Sequence, residues 1–148
     1  MKKIITALLA CLALTACEEI IELMDGDWER MKWSHPLYRI EKIDGMTYFA
    51  VPAAGGEFAF RCKNYSKPWL SSDHQFEVDG VMQYGYLLVK GQENASHFFQ
   101  YKWCTIEAVK DTIKVTFDAN DGDARRARVS VTAGDIFDSF DFWQEGSK

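Results

Sequence analysis

Positive charge is in short supply in this sequence. Its 148 residues contain 17 lysines and arginines against 22 aspartates and glutamates, so the formal net charge at pH 7 is −5. Nucleic-acid backbones and anionic lipid headgroups repel an acidic protein. The composition therefore argues against a nucleic-acid partner and against electrostatic attachment to a membrane.

Motifs for catalysis and metal binding are also lacking. The sequence has no Gly-x-Ser-x-Gly motif and no phosphate-binding loop, and His35, His74 and His97 do not have the spacing of metal ligands. In the acidic segment 118–123, the glycine comes one position too early for an EF-hand and no bidentate glutamate follows, so a hairpin turn explains it. We predict a protein that is not an enzyme and binds no cofactor or metal.

Long apolar runs are absent after Cys17, so no later segment is expected to span a bilayer. Before it, Lys2 and Lys3 precede an uncharged run over 4–14, which is typical of a secretory signal. The tetrapeptide Leu14-Thr15-Ala16-Cys17 resembles the lipobox of bacterial lipoproteins. This resemblance implies a signal peptide over 1–16 and acylation of Cys17 after cleavage; the alternative is an ordinary signal peptide with a chance cysteine.

The next segment, 18–27, is acidic and has no long periodic pattern, so it reads as a tether. Together with the lipidated cysteine and the mixed segment 28–45, it forms the tether and lead-in over 17–45. Acidic residues directly after a lipid cysteine resemble the export signal of Bacteroidota surface lipoproteins. The resemblance implies an outer-membrane lipoprotein, held by its lipid anchor and displayed on the cell surface. The alternative is a solvated linker on a lipoprotein that faces the periplasm.

Only two cysteines are available for folding, because Cys11 leaves with the signal peptide and Cys17 would carry lipid. Cys62 and Cys104 would then lie in a compartment that permits oxidation. They form either a disulfide that closes a long loop or two buried thiols that pack as small apolar side chains. The sequence leaves both alternatives open.

Apolar and polar residues alternate in short segments throughout 46–148. The clearest cases are 57–62, 112–117, 126–131 and 136–144, and turn residues lie at 54–56 and 79–80. Segment 81–90 is interpreted as one strand with Met82, Tyr84, Tyr86 and Leu88 on one face. This pattern, without a long amphipathic helix, predicts an all-β sandwich of about seven to nine strands over 46–148.

The order of the motifs in this region resembles that of BACON domains, small immunoglobulin-like modules of Bacteroidota surface proteins. The segment 113–120 ends in Asn120; it is followed by Arg-Arg-Ala-Arg at 125–128, Gly-Asp at 134–135, and a last strand that ends in Gln144. Upstream, Ala-Gly-Gly at 54–56 precedes a strand, and a loop contains Asn64 and Trp69. The resemblance covers 48–146 and implies an immunoglobulin-like fold. Gln144, on the inward side, is expected to satisfy buried backbone groups.

Aromatic residues are the candidates for ligand binding. Sugar sites stack a ring of the ligand on an aromatic side chain and hold its hydroxyls with placed polar groups. Trp69, which lies in a loop, the pair Tyr84 and Tyr86, and Trp33 are the candidates, although such rings more often fill a core. We expect a lipid-anchored, glycan-binding surface protein; the alternative is a spacer or assembly subunit of a surface protein complex.

One modification is also suggested. Asp111-Thr112-Ile113 resembles the O-glycosylation motif of exported Bacteroidota proteins, at a point where a turn meets a strand. The resemblance implies Thr112 as the modified residue.

Overall fold

The computed structural model describes residues 29–88, 91–92 and 94–148. The signal peptide, Cys17 and the tether lie outside this part of the chain. No described helix has the length and apolar character that crossing a membrane requires. The elements are, in chain order, β1 (Trp33–Ser34), β2 (Ile40–Ile43), β3 (Met46–Val51), β4 (Gly56–Cys62), β5 (Trp69–Leu70), β6 (Gln75–Val78), β7 (Val81–Tyr84), α1 (Gly85–Leu88), β8 (Phe98–Tyr101), β9 (Cys104–Val109), β10 (Thr112–Phe117), β11 (Arg125–Ala133) and β12 (Ile136–Gln144).

The strands form two sheets. The five-stranded sheet has the order β1-β4-β10-β9-β8. The seven-stranded sheet has the order β2-β3-β12-β11-β6-β7, and β5 pairs with β11 beside β6. The pairing of β3 with β12 is parallel, whereas β11 and β12 form a long antiparallel hairpin.

The core lies between the inner faces of the two sheets. Alternate residues of each long strand point inward, as in β10, where Ile113, Val115 and Phe117 are buried. Aromatic rings bridge the sheets. Phe60 stacks on Phe140 with ring centroids 4.0 Å apart. At the other end of the sandwich, Phe76 stacks on Tyr101 at 4.3 Å.

The prediction of an all-β, immunoglobulin-like sandwich is confirmed, but the expected count of seven to nine strands is too low. The described residues contain twelve strands. Two of them, β1 and β5, have only two residues, which is too short for an alternating pattern to reveal. In addition, β1 and β2 precede the expected boundary at Met46, so part of the lead-in belongs to the two sheets.

The single strand expected over 81–90 is wrong in its second half. The strand ends at Tyr84, and the helical turn α1 follows. Gly85 lies where the chain changes direction, and its amide donates to the carbonyl of His74 at 2.6 Å. A Cβ at this position would lie 2.9 Å from the Cβ of His74, so only glycine fits against the segment that leads into β6.

The two cysteines of the sandwich are both buried and free. Cys62 ends β4, whereas Cys104 lies level with Phe117 and Gly56 at the other end of the same sheet. Six residues of strand separate these two levels, which corresponds to about 20 Å. A disulfide requires Cα atoms within about 7 Å. The structure therefore contradicts the disulfide alternative and has two buried thiols.

Candidate functional site

The outer face of β11 forms the centre of the candidate site. Ala127, Val129 and Val131 point into the core. Because side chains alternate along a strand, the residues of the other parity point outward from the seven-stranded sheet: Arg126, Arg128, Ser130 and Thr132.

Strand pairing extends these outward residues into rows that cross the sheet. Trp143, Arg126, Glu77 and Met82 form one row over β12, β11, β6 and β7. Asp141, Arg128, Gln75 and Tyr84 form the next row over the same strands. Then come the two small residues Ser139 and Ser130, and finally Phe137, Thr132 and Trp69 over β12, β11 and β5. Polar groups therefore lie between two rows that contain large aromatic side chains.

Two adjoining cavities occupy this surface. The first, of about 220 Å³, is lined by Met46, Tyr48, Gln75, Glu77, Met82, Arg126, Ala127, Arg128 and Asp141. The second, of about 330 Å³, is lined by Asp73, Gln75, Arg128, Ser130, Val131, Phe137, Asp138 and Ser139. The two cavities share Gln75 and Arg128, and we call them together the trough. The serines leave space because their side chains are short.

Ion pairs hold the charged side chains of the trough in place. Arg128 donates to both carboxylate oxygens of Asp141, through Nε at 2.7 Å and Nη2 at 3.1 Å. This bonding raises the pKa of Arg128 above its ordinary value. A bidentate pair of this kind has a fixed orientation, so its unused donors and lone pairs point in defined directions.

Arg126 is held differently. Its guanidinium carbon lies 5.0 Å from the centre of the Trp143 ring and 5.6 Å from that of Tyr48. Its nitrogens lie 3.4 Å from Asp44 and 3.9 Å from Glu77. Cation–π contacts and two carboxylates therefore restrain the side chain at the floor of the first cavity.

Three of the four predicted aromatic residues lie at this face or its edge. Trp69, Tyr84 and Tyr86 are 37%, 40% and 55% exposed. The rings of Tyr84 and Tyr86 are neighbours, with centroids 5.7 Å apart. Trp69 and Tyr84 belong to rows four residues apart along β11, or about 13 Å. They flank the trough at separate points and do not form one stacking platform.

Trp33 lies elsewhere. Its ring packs edge-on against Phe140 at 4.9 Å, and its Nε1 donates to Asp138 at 2.8 Å. It pairs with the buried Cys62 and is itself packed against the core. The structure therefore gives Trp33 a packing contact and a hydrogen bond at the end of the sandwich, and does not bring it together with Trp69, Tyr84 and Tyr86.

Thr112, the predicted glycosylation residue, lies at the start of β10 on the outer side of the five-stranded sheet. It is half-buried, and its hydroxyl donates to Asp111 at 3.0 Å. Arg61 also bonds Asp111, and these two hydrogen bonds lower the pKa of that carboxyl group. The position is at a strand end, as expected.

The polar floor of the trough was missed by the sequence analysis. Arg128 and Asp141 become neighbours only when β11 and β12 pair. The signal was nevertheless present, because a two-residue turn at Gly134-Asp135 fixes the register of the hairpin and places these two residues opposite each other.

Comparison with known proteins supports a binding role. Residues 91–139 match the model of the BACON family, described as "Putative binding domain, N-terminal". The resemblance predicted from the motifs is thereby confirmed, and the matched region contains both arginines of the trough. The chain is also similar to a protein from Bacteroides thetaiotaomicron whose structure was solved by NMR: the identity is 28%, the TM-score is 0.59, and the match covers 84% of this chain and 93% of that chain. No curated protein matches the chain.

Proposed function

We propose that this chain is a non-enzymatic glycan-binding protein of the cell surface, fastened to the outer membrane by lipid on Cys17. The proposal starts from the similarity of residues 91–139 to the BACON family. The trough is its binding site. The description of the matched family as a binding domain supports a binding role over a catalytic one.

The distribution of side chains in the trough is the observation that carries this proposal. A sugar presents apolar C–H faces and a rim of hydroxyls, so its site needs aromatic surfaces together with fixed donors and acceptors. Trp69 and Phe137 lie at one end of the trough, and Tyr84 lies beside its middle, in the row of Gln75 and Arg128. In the row of Tyr84, the side chains of Arg128, Asp141 and Gln75 offer donors and acceptors.

The anchoring part of the proposal rests on the N-terminal sequence, and three hydrogen bonds of the described residues indicate where a tether would meet the domain. The first described residues are fixed to the sandwich: Tyr65 donates to the carbonyl of Glu29 at 2.5 Å, and Asn64 bonds the backbone of Arg30 and Lys32. A tether from Cys17 would therefore meet the domain beside Asn64. The trough, on the flat side of the larger sheet, would then stay accessible.

Binding to polysaccharides tests the proposal. The full chain should be retarded in native gels that contain at least one soluble neutral glycan from a panel. Tyr84→Ala and Trp69→Ala should each weaken retardation about tenfold, because one aromatic contact to a ring is worth roughly 1–2 kcal/mol. Phe98→Ala is the matched control, since Phe98 is equally exposed, at 40%, but lies on the five-stranded sheet.

Two results would contradict the glycan proposal. One is the absence of retardation by every glycan of the panel. The other is retardation that Phe98→Ala weakens as much as Tyr84→Ala, because binding would then not involve the trough.

A second candidate, an assembly subunit of a surface complex, is favoured by the outer edge of β7, which pairs with no other described strand. All four residues of this strand are exposed, none of them is charged, and β7 ends the seven-stranded sheet. Unprotected edges accept a strand from a partner. Cross-linking in cells through a photoreactive residue at Gln83 should then capture one reproducible neighbour, and a chain that captures none would exclude this role.

A further inference from the structure

The charged groups on the trough floor already have partners within the protein. Arg128 is bonded at two points by Asp141, and Arg126 is shared between Asp44 and Glu77. Neither guanidinium therefore offers an uncompensated positive charge to a ligand. An anionic ligand would have to displace a carboxylate from its arginine, and that carboxylate would lose a charge-assisted hydrogen bond.

The carboxylates of this region outnumber the guanidiniums. Arg126 and Arg128 face five acidic side chains that line the trough or pair with its arginines: Asp44, Asp73, Glu77, Asp138 and Asp141. No lysine occurs among the described residues that line either cavity. The local field therefore disfavours negative charge on the ligand.

A neutral hydroxyl meets no such obstacle. A guanidinium has five N–H donors, and Asp141 uses two of those on Arg128. The remaining donors and the free lone pairs of the Asp141 carboxylate can bond a hydroxyl without breaking the ion pair. A sugar hydroxyl, which both donates and accepts, matches this combination.

We propose that the trough selects uncharged glycans over anionic ones, and that Asp141 determines this specificity by neutralising Arg128. The proposal rests on the proposed glycan-binding function and adds the charge class of the ligand. Removing the charge of Asp141 should release the guanidinium of Arg128 as a site for sulfate or carboxylate groups. A variant without this charge should therefore lose its selectivity because it gains binding to anionic glycans.

Affinity electrophoresis with paired polysaccharides tests this specificity. Each pair shares a backbone: dextran with dextran sulfate, laminarin with sulfated laminarin, and hydroxyethylcellulose with carboxymethylcellulose. The wild-type chain should be retarded by at least one neutral member and by no anionic member. Asp141→Asn should gain binding to an anionic member, about tenfold tighter than wild type, and the gain should fade at high salt.

Asp111→Asn is the matched control. It makes the same change in net charge and also frees an arginine, because Asp111 bonds Arg61 at 2.7 Å on the other sheet. The double variant Arg128→Gln, Asp141→Asn should lack the gain, since no guanidinium is released. If Asp141→Asn fails to fold, as judged by circular dichroism, the double variant Asp44→Asn, Glu77→Gln gives the corresponding test at Arg126, because it removes both carboxylates of that guanidinium.

The outcomes separate this inference from the function on which it rests. Equal behaviour of Asp141→Asn and Asp111→Asn, with neutral glycan still bound, overturns the inference and leaves the glycan proposal in place. Wild-type binding to anionic members as tight as to neutral ones also overturns it. Binding of the wild type to no polysaccharide overturns both.

Discussion

At the scale of single residues, Gln144 shows how far a position in an alternating pattern can be interpreted. Its inward parity predicts a buried amide that satisfies backbone groups. In the structure its Nε2 donates to the carbonyls of Pro52 and Asp118, and its Oε1 accepts from Arg125 Nε at 2.8 Å. Trp33 is a counterexample, because its contact with Asp138 spans the chain from 33 to 138 and no local pattern contains it.

Gly55 gives a residue-scale prediction about stability. Its φ is +83°, and a Cβ would lie 2.2 Å from the carbonyl oxygen of Phe117. Gly45 has a similar φ of +79° but open space around it. Gly45→Ala should cost about 1 kcal/mol from the left-handed backbone alone, whereas Gly55→Ala should cost at least about 3 kcal/mol because the strand must also move. Urea denaturation measures both, and equal losses would refute the steric argument.

The two buried thiols give a second prediction at this scale. Burial raises the pKa of Cys104 well above its ordinary value, so little reactive thiolate forms at neutral pH. We expect iodoacetamide to leave Cys62 and Cys104 unmodified in the folded chain and to modify both in urea without reductant. Peptide mapping by mass spectrometry distinguishes them from Cys11 and Cys17. If modification in urea required a reductant, a disulfide would be present after all.

At the scale of elements, the β11–β12 hairpin follows from sequence, because each strand alternates over many residues and a Gly-Asp turn joins them. The short strands do not follow. β1 and β2 pair with β4 and β3, and their two and four residues carry too little periodicity to be recognised. The end of β7 at Tyr84 likewise depends on a tertiary contact, the packing of Gly85 against His74.

His74 completes the pairing of β11 where two partner strands meet. β5 pairs with β11 at 131–132 and β6 pairs with it at 125–128. In the gap, the amide of Ser130 donates to His74 Nδ1 at 3.0 Å, so the side chain replaces a backbone acceptor. This role requires a neutral imidazole. Burial lowers the pKa of His74 to about 4, although the nearby Asp73 opposes the shift.

Acid should therefore destabilise this part of the sheet. The folded pKa is about 4 and the unfolded value is 6.5, so the unfolded state binds the extra proton between these limits. Stability should fall as the pH drops from about 6.5 to about 4, by roughly 3 kcal/mol in total. Urea denaturation at a series of pH values measures this slope.

A matched pair of variants assigns that slope to one residue. His74→Asn keeps an acceptor near the position of Nδ1 but cannot titrate, so the slope should flatten. His97→Asn, at an exposed histidine, should leave the slope unchanged. An unchanged slope in His74→Asn would show that other groups cause the acid sensitivity.

At the scale of the whole molecule, the trough exists only because two hairpins distant in sequence, β6–β7 and β11–β12, lie side by side. Two of its rows take residues from β12, β11, β6 and β7, and another takes them from β12, β11 and β5, so no segment of the sequence contains the site. The aromatic candidates were found because their residue type is distinctive. The arginine and carboxylate residues between them were not, because in sequence they resemble an ordinary solvated strand face.

The proposed lipid anchor is also tested on the whole molecule. Cells grown with an alkyne-tagged fatty acid should incorporate the tag into the wild-type chain, and Cys17→Ala should abolish this labelling because the acylated thiol is lost. Cys11→Ala is the control and should remain labelled. Labelling that persists in Cys17→Ala would show that the lipid is attached to another residue.

The most direct test of the account is to map the ligand onto the sheet. In a ¹⁵N NMR titration with a neutral oligosaccharide from a retained glycan, the largest amide shifts should come from Gln75, Tyr84, Arg128 and Asp141. The amide signals of residues on the outer face of the five-stranded sheet, such as Thr105 and Lys114, should not shift. Shifts that cluster on that other sheet, or that spread evenly over the molecule, would contradict a binding trough on the larger sheet.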